Sequence, residues 1–301
     1  MRIAFIHQGL AHLPELEAYT RFFESRGHQT FIGKQSQQPP FKPDVEWHFM
    51  GMGGARMFPG TKLIHEYASA SVPVLAHLKD NVKRWFNSKP DFRIFLNDQV
   101  RKSIGFNDSI PFGYRDMGID IDGIENDHEE KKCFDFIYPG SVEPYKFFQK
   151  LLWKFTTDEF KASKLLVISN IASGMRSEWS KYDNIEFRAP LTNREVIALI
   201  RQSKYGINFR PPVAPFTFQT ATKVLEYAAC KVPVITTPSE WLSNFTKKNG
   251  GNYFILSPDL TNLTYRNLVA FDFQFPEVKH LTWQQQIIGS GVCRYLEINE
   301  S

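Results

Sequence analysis

Residues Thr222–Pro233, TKVLEYAACKVP, running on into Val234–Thr237, VITT, decide how this chain folds. They read as a helix over about Thr220–Cys230 that leads directly into a short apolar strand, Val232–Thr236. A strand at Tyr205–Phe209 stands before them, separated by the loop Arg210–Phe218. Strand, helix and strand in that order build a parallel sheet covered on both faces. Towards the C-terminus the alternation continues with a helix around Ser239–Lys247 and a strand at Tyr253–Leu256. Towards the N-terminus it includes strand Ile185–Arg188, strand Leu165–Ser169, a helix near Lys146–Phe155 and strand Phe134–Tyr138. A helix from Thr192 opens on a capping box, Thr192 with Glu195.

Further upstream, Glu125–Lys132 (ENDHEEKK) is a charged run in which nothing can be buried cheaply, and it marks a domain boundary. Ahead of it the same alternation occurs again. Strands are expected at Arg2–Ile6, Gln29–Ile32, Val45–Met50, Lys62–His65, Phe92–Leu96 and Ser109–Phe112, with helices at Leu13–Arg26, Leu78–Phe86 and Gln99–Ile104. The chain closes on a helix, Trp283–Leu296, headed by Thr282 with Gln285 and striped by Ile287, Ile288, Val292 and Leu296. Gly289 and Gly291 inside it cost about 1 kcal/mol each, so a bend or a close backbone crossing is expected there.

Bulk properties narrow the function. The 301 residues are 42% hydrophobic and 23% charged, ordinary for a globular protein, and 27 Phe indicate thick cores. A net charge of +4 is too mild to argue for nucleic acid but suits phosphate-bearing substrates. No run approaches the roughly 18 apolar residues of a membrane-spanning helix, and Met1–Leu10 does not read as a secretory signal. Cys133, Cys230 and Cys293 are odd in number, far apart and without a CxxC, so a reduced, cytoplasmic setting is expected and zinc and disulfides are set aside.

Two segments carry more than a generic α/β reading: Tyr138–Lys146 (YPGSVEPYK) and Thr222–Pro233. Together they resemble the donor-binding half of GT-B-fold glycosyltransferases, family 4 in particular. Asp91–Phe106 (DFRIFLNDQVRKSIGF) followed by Ile110–Asp120 (IPFGYRDMGID), and the closing Trp283 helix, resemble the rest of that family more loosely. The resemblance implies two Rossmann-like α/β domains facing a cleft. Residues 1–126 would hold the acceptor, 133–282 would hold a nucleotide-sugar donor, and 283–301 would be a crossover helix packing back on the N-terminal domain. Sugar would pass from the donor to a hydroxyl of a glycan or lipid-linked saccharide, as in polysaccharide biosynthesis. Two other readings stay open: a nucleotide-sugar epimerase on the same fold, and a non-catalytic nucleotide-sugar-binding partner.

The same resemblance assigns site residues. The family's arginine after the glycine is Ser141 here, its lysine is kept as Lys146, and of its two glutamates the second is Glu226 while the first is Phe218. Ligands of open α/β sheets bind at the carboxyl ends of strands, where helix N-termini favour anions. The donor site is therefore expected to draw on Gly140, Lys146, Arg210, Thr220, Ala221, Thr222, Lys223 and Glu226. Glu226 would accept the ribose hydroxyls, Lys146 would meet the diphosphate, and Arg210 would replace the missing arginine. Lys223 either meets the ligand or pairs with Glu226 at i,i+3. Arg188 to Leu191 would seat the nucleobase on backbone groups. For acid–base work the candidates are His65 and Glu66, with Glu15 and Asp80 as rivals. No metal and no cofactor beyond the donor is required, since the DID at Asp120–Asp122 belongs to the interdomain segment. Residues 79–102, with Lys79, Lys83, Arg84, Lys89 and Arg93 beside Trp85 and Phe86, either seat the protein peripherally on the inner membrane face or form a solvated helix face.

Overall fold

The computed structural model describes residues 1–9, 13–50, 53–69, 87–120 and 130–300. The chain divides into two compact units, Met1–Asp120 with Leu281–Ser301, and Ile121–His280. Each is built on a parallel six-stranded sheet.

In the first unit the strands are β1 (Arg2–His7), β2 (Gln29–Lys34), β3 (Val45–Phe49), β4 (Lys62–Tyr67), β5 (Phe92–Phe95) and β6 (Phe112–Tyr114), in the order β2-β1-β3-β4-β5-β6. The helices described with them are α1 (Pro14–Glu24) and α2 (Asp98–Ile104). β3 is buried at every position, the mark of a strand covered on both faces. One face is aromatic: Phe5, Tyr19, Phe23, Trp47 and Phe49 pack under α1. The other is polar: parallel pairing aligns His48 with His65 and His65 with Arg93, and all three are buried.

The second unit holds β7 (Phe134–Pro139), β8 (Leu165–Ile168), β9 (Ile185–Arg188), β10 (Ser203–Asn208), β11 (Val234–Thr236) and β12 (Phe254–Ile255), in the order β12-β11-β10-β7-β8-β9. Between them lie α3 (Tyr145–Lys154), α4 (Ser173–Trp179), α5 (Asn193–Arg201), α6 (Thr222–Ala229), α7 (Glu240–Asn249) and α8 (Tyr265–Ala270). The strand order reverses between β7 and β10. At such a switch point neighbouring connections leave the sheet in opposite directions and open a crevice at the carboxyl ends.

Local chemistry explains most of these boundaries. Thr192 and Glu195 form both bonds of the capping box at the start of α5, and Ser239 caps α7 through the Leu242 amide. The expected strand Ser109–Phe112 lies three residues later, at Phe112–Tyr114. Pro111 has no N–H to donate, so pairing begins with its carbonyl, which accepts from the Arg93 amide at 3.0 Å. α4 and α8 are short helices that hydrophobic spacing did not reveal. The expected helix Leu78–Phe86 lies outside the described residues.

The closing segment packs on the first sheet, with Trp283, Ile287, Val292, Cys293 and Leu296 in the same core as Tyr19 and Trp47. It is two helices rather than the single helix expected from the stripe: α9 (Trp283–Gly289) and α10 (Val292–Leu296). Gly291 adopts a left-handed φ of 75° between them, which ends the first helix. The close backbone crossing also occurs, but the glycine that permits it is Gly113 on β6. A Cβ there would lie 1.7 Å from the Ser290 carbonyl oxygen.

Neither backbone can yield at that crossing without unseating α9. Gly113→Ala is therefore expected to cost about 1–3 kcal/mol or more, the scale of overpacking. A urea midpoint unchanged from wild type would contradict this account of how the closing helices dock.

Candidate functional site

The switch point of the second unit gathers most of the residues named from sequence. Tyr227 on α6 fixes the geometry. Its ring lies on Gly206, where a Cβ would come within 2.5 Å of the ring. Its hydroxyl donates to the Ile207 and Ile137 carbonyls at 3.0 and 3.3 Å, so α6 is tied across β10 and β7. Side chains four residues apart share a helix face, so Lys223 falls one turn nearer the carboxyl ends of these strands. Its chain reaches Gly140, just past β7, where an added Cβ would meet the Lys223 Cε and Nζ at 2.5 Å. Gly140 also holds a φ of 138°, which L side chains rarely adopt.

Arg210, just past β10, converges on the same place. Its amide donates to Thr237 Oγ1 at 3.1 Å, and its guanidinium donates to the Gln219 carbonyl at 3.1 Å. Lys223 lies over the buried Tyr138 ring with Nζ 5.1 Å from the centroid. Both cations are partly buried, and neither has a carboxylate within ion-pair distance among the described residues. Burial, and then the neighbouring Arg210, lower the Lys223 amine to about 8, with Glu226 pulling the other way. Burial lowers Arg210 as well. The N-cap of α6 is Ala221, which supplies no side-chain cap, so among the described residues the amide end of α6 is uncapped beside these cations.

Glu226 follows on the same helix face. Of the two roles open to Lys223, the ion pair with Glu226 is not formed, because Lys223 extends to Gly140 instead. The Glu226 carboxylate accepts from Asn193 Nδ2 at 2.9 Å. Burial raises its carboxyl to about 7, against the opposing pull of Lys223 and the Asn193 hydrogen bond. Thr220 and Ala221 are buried at the entry to α6, and Thr222 begins the helix.

Two expected donor residues stand differently. Lys146 is exposed in the first turn of α3 and makes no ion pair among the described residues. The Arg188 side chain, at the end of edge strand β9, bonds Glu186 at 2.6 Å. The backbone from Arg188 to Leu191, expected to seat a base, follows directly on that strand. Asn193 and Tyr138 were not singled out from sequence. Tyr138 stood in a quoted motif, but nothing local ties Asn193 to a carboxylate 33 residues away.

The described acid–base candidates are all buried. His65 is fully buried, its Nε2 donates to the Gly54 carbonyl at 2.8 Å, and its Nδ1 is buried without a partner. Burial lowers it to about 4, so the ring is neutral. Glu66 faces the opposite side of the sheet, equally buried. It accepts from Trp47 Nε1 at 2.8 Å and Tyr19 Oη at 3.1 Å, and it is ion-paired to Arg115. Arg115 also pairs with the rival Glu15 at 3.1 Å, and Glu15 too is buried. These side chains hold the first sheet to α1 and to the segment after β6, and no reactant can reach them as they stand. Asp80 lies outside the described residues. Arg93, read as part of a basic membrane-facing stretch, is buried in β5, where it bonds Asp108 at 2.8 Å and covers the Phe106 ring. Among the described residues, no three His, Cys, Asp or Glu side chains gather as a metal site, and no helix is long and apolar enough to cross a membrane.

Two doubly wound parallel sheets, with the closing helices returned to the first, define the GT-B fold, and this chain has that fold. A family model described as glycosyl transferase-like matches residues 150–256, inside the second unit. Among solved structures, AviGT4, a glycosyltransferase involved in avilamycin A biosynthesis, is similar with a TM-score of 0.58 at 15% identity, over 99% of this chain and 96% of its own. HepE from Anabaena, crystallised with UDP and glucose, is similar with a TM-score of 0.60 at 10% identity, over 99% of each chain. The UDP-GlcNAc 2-epimerase of Methanocaldococcus jannaschii, in complex with UDP-GlcNAc and UDP, gives 0.56 at 11% identity, again over 99% of each chain. No curated protein matches by sequence.

Two outcomes test this assignment of roles. Arg115→Met leaves Glu15 and Glu66 buried without their cation and is expected to cost about 3–5 kcal/mol, as broken buried pairs do. A small loss in urea denaturation would mean the cluster is hydrated and accessible after all. The His65 pKa is depressed from 6.5 to about 4, so its contribution is present above 6.5 and is lost as the pH falls towards 4. His65→Gln keeps a donor for the Gly54 carbonyl but does not titrate, so its stability should vary less across that window. Parallel wild-type and variant curves there would contradict a buried, neutral His65.

Proposed function

We propose that the chain is a glycosyltransferase whose second unit binds a nucleoside-diphosphate sugar and whose product is a glycoside on an acceptor hydroxyl. One observation carries this reading. Arg210 and Lys223 converge, partly buried and without an ion-paired carboxylate, at the carboxyl ends of β10 and β7 beside the uncapped end of α6. Positive charge withheld from water in this way favours a bound anion, and a diphosphate has the charge and reach to meet both groups. Glu226, with one oxygen held by Asn193, supplies the acceptor atoms a ribose diol needs. The backbone after β9 is offered to the base. That several GT-B structures carry UDP or UDP-sugars supports the ligand class.

In the reaction, the acceptor oxygen forms a bond to the anomeric carbon and gives up its proton to solvent water. The bond from that carbon to the diphosphate breaks, and the leaving group keeps the electron pair. Arg210, Lys223 and the α6 amides stabilise the charge that develops on the departing diphosphate, an electrostatic contribution of the kind that dominates many enzymes. The acceptor is a glycan or lipid-linked saccharide in this reading. A second reading, binding of a nucleotide sugar without transfer, is favoured by the burial of His65 and Glu66, the two acid–base candidates. Incubating each nucleotide sugar with and without an acceptor panel separates the two, because only a transferase forms acceptor-dependent product.

Ligand titration with UDP, GDP, ADP and CDP, and with their nucleosides, tests the site. Glu226→Ala is expected to weaken nucleoside and diphosphate alike by about 1.5–3 kcal/mol, the range for a hydrogen bond to a charged group. Lys223→Ala and Arg210→Ala should weaken the diphosphates only, and Lys146→Ala should do so least. Wild-type affinity in the Glu226, Lys223 and Arg210 variants would overturn the reading. Affinity should also fall on both sides of a narrow optimum: below about 7 as Glu226 takes up a proton, and above about 8 as Lys223 loses one. The two limbs belong to the coupled pair.

A further inference from the structure

We propose that Asn193, the first residue of α5, is a positioning residue that holds the Glu226 carboxylate in the orientation the nucleotide requires. The inference rests on the nucleotide-binding reading and goes beyond it by naming what orients its sugar-binding carboxylate.

The geometry is specific. Asn193 Nδ2 donates to Glu226 Oε1 at 2.9 Å, the one hydrogen bond of that carboxylate among the described residues. Oε2 is left without a hydrogen-bond partner there. The helix that carries Asn193 does not need its side chain. Thr192 caps α5 through the Glu195 amide, and Glu195 returns the bond to the Thr192 amide at 2.8 Å. With the end of α5 already satisfied, the Asn193 amide is directed across to α6. It also follows immediately on the loop Arg188–Thr192 at the carboxyl end of β9, so a single residue links the backbone offered to a base with the carboxylate offered to a ribose.

A neutral amide suits this role better than a cation would. It fixes the carboxylate by a directional bond without neutralising it, so the second oxygen keeps its full strength as an acceptor. The other groups facing Glu226 do not orient it. Lys223 acts on it only through charge because its own chain extends to Gly140. Tyr227 and Cys230, both raised by burial and further by the Glu226 charge, offer no bond to it. Arg201, at the far end of α5, is paired with Glu130 at 3.1 Å. The Asn193 bond favours the ionised carboxylate against burial, so its loss should raise the pH at which Glu226 ionises.

The test uses the full chain, with Asn193→Ala and Asn193→Asp titrated against UDP, GDP, ADP and CDP at pH values on both sides of neutrality. Asn193→Ala is expected to weaken the best of these ligands roughly tenfold or more, and to move the acid limb of the binding profile to higher pH. Asn193→Asp places a second carboxylate against the first and should move that limb further. Both variants should melt close to wild type, because the capping box of α5 is intact. Unchanged affinity and an unmoved limb in Asn193→Ala, while Glu226→Ala still weakens binding, would overturn this inference and leave the nucleotide site standing. A loss that is equal at every pH and tracks a lower melting temperature would overturn it too, since that is the signature of a merely structural residue. If the wild-type chain binds none of the four, the nucleotide reading fails and this inference fails with it.

Discussion

Lys223 and Arg210 set the constraint on which the second unit's chemistry depends. Two cations lie partly buried at one place, close enough for Arg210 to lower the Lys223 amine, and among the described residues no carboxylate pairs with either. Withdrawing a charge from water is costly unless something answers it. Here Tyr138 offers a ring face and Gln219 a carbonyl, which are partial answers. The surrounding architecture maintains this unresolved charge. Gly206 lets Tyr227 lie flat on the sheet, Tyr227 fixes α6, and Gly140 leaves room for the lysine that α6 carries. A site organised around unanswered positive charge is suited to an anion that arrives and departs.

The first unit shows the opposite use of charge. Arg115 is completely buried, but it is answered twice, by Glu15 and Glu66, and the remaining acceptor capacity of Glu66 is taken up by Trp47 and Tyr19. Trp283 from the closing segment contacts Tyr19 edge to face and lies under the Arg115 guanidinium. The same residues thus join α1, the centre of the sheet, the end of β6 and the returning C-terminus. On the other face, Glu46 accepts from the Met57 and Phe58 amides and from the Thr61 hydroxyl, and fastens the β3–β4 connection to the sheet. Burial would raise the Glu46 carboxyl, but its hydrogen bonds from His48, Met57, Thr61 and Phe58 outweigh that and hold it at about 2. Satisfied charges of this kind specify structure, and Glu15 and Glu66 are held in that way.

The distinction bears on how GT-B chains divide their labour. Under the proposed function, the activated sugar would be bound by Arg210, Lys223 and Glu226 of the second unit, whose charges are incompletely satisfied among the described residues. Among the described acid–base candidates of the first unit, Glu15 and Glu66 are answered by Arg115, and His65 has only a buried Nδ1 without a partner. Under that same proposal, leaving-group stabilisation would come from Arg210, Lys223 and the α6 amides.

The sequence by itself determined the fold class, nearly every strand and the capping box of α5, and it put Gly140, Arg210, Lys223 and Glu226 forward as candidates. Each of these is a local matter: period, cap, turn and motif are written within a few residues of one another. The tertiary structure alone decided which of two lysines stands with Arg210, because Lys146 and Lys223 are alike until α6 is docked on Gly206. It alone showed that His65 and Glu66, adjacent in KLIHEY, are buried on opposite faces, since alternation along a strand separates neighbours and burial depends on what covers each face. It also broke the closing helix at Gly291 and placed the necessary glycine on β6. Last, it joined Asn193 to Glu226. A hydrogen bond between residues so distant in sequence exists only once two helices lie side by side, and no local signal in either segment specifies it.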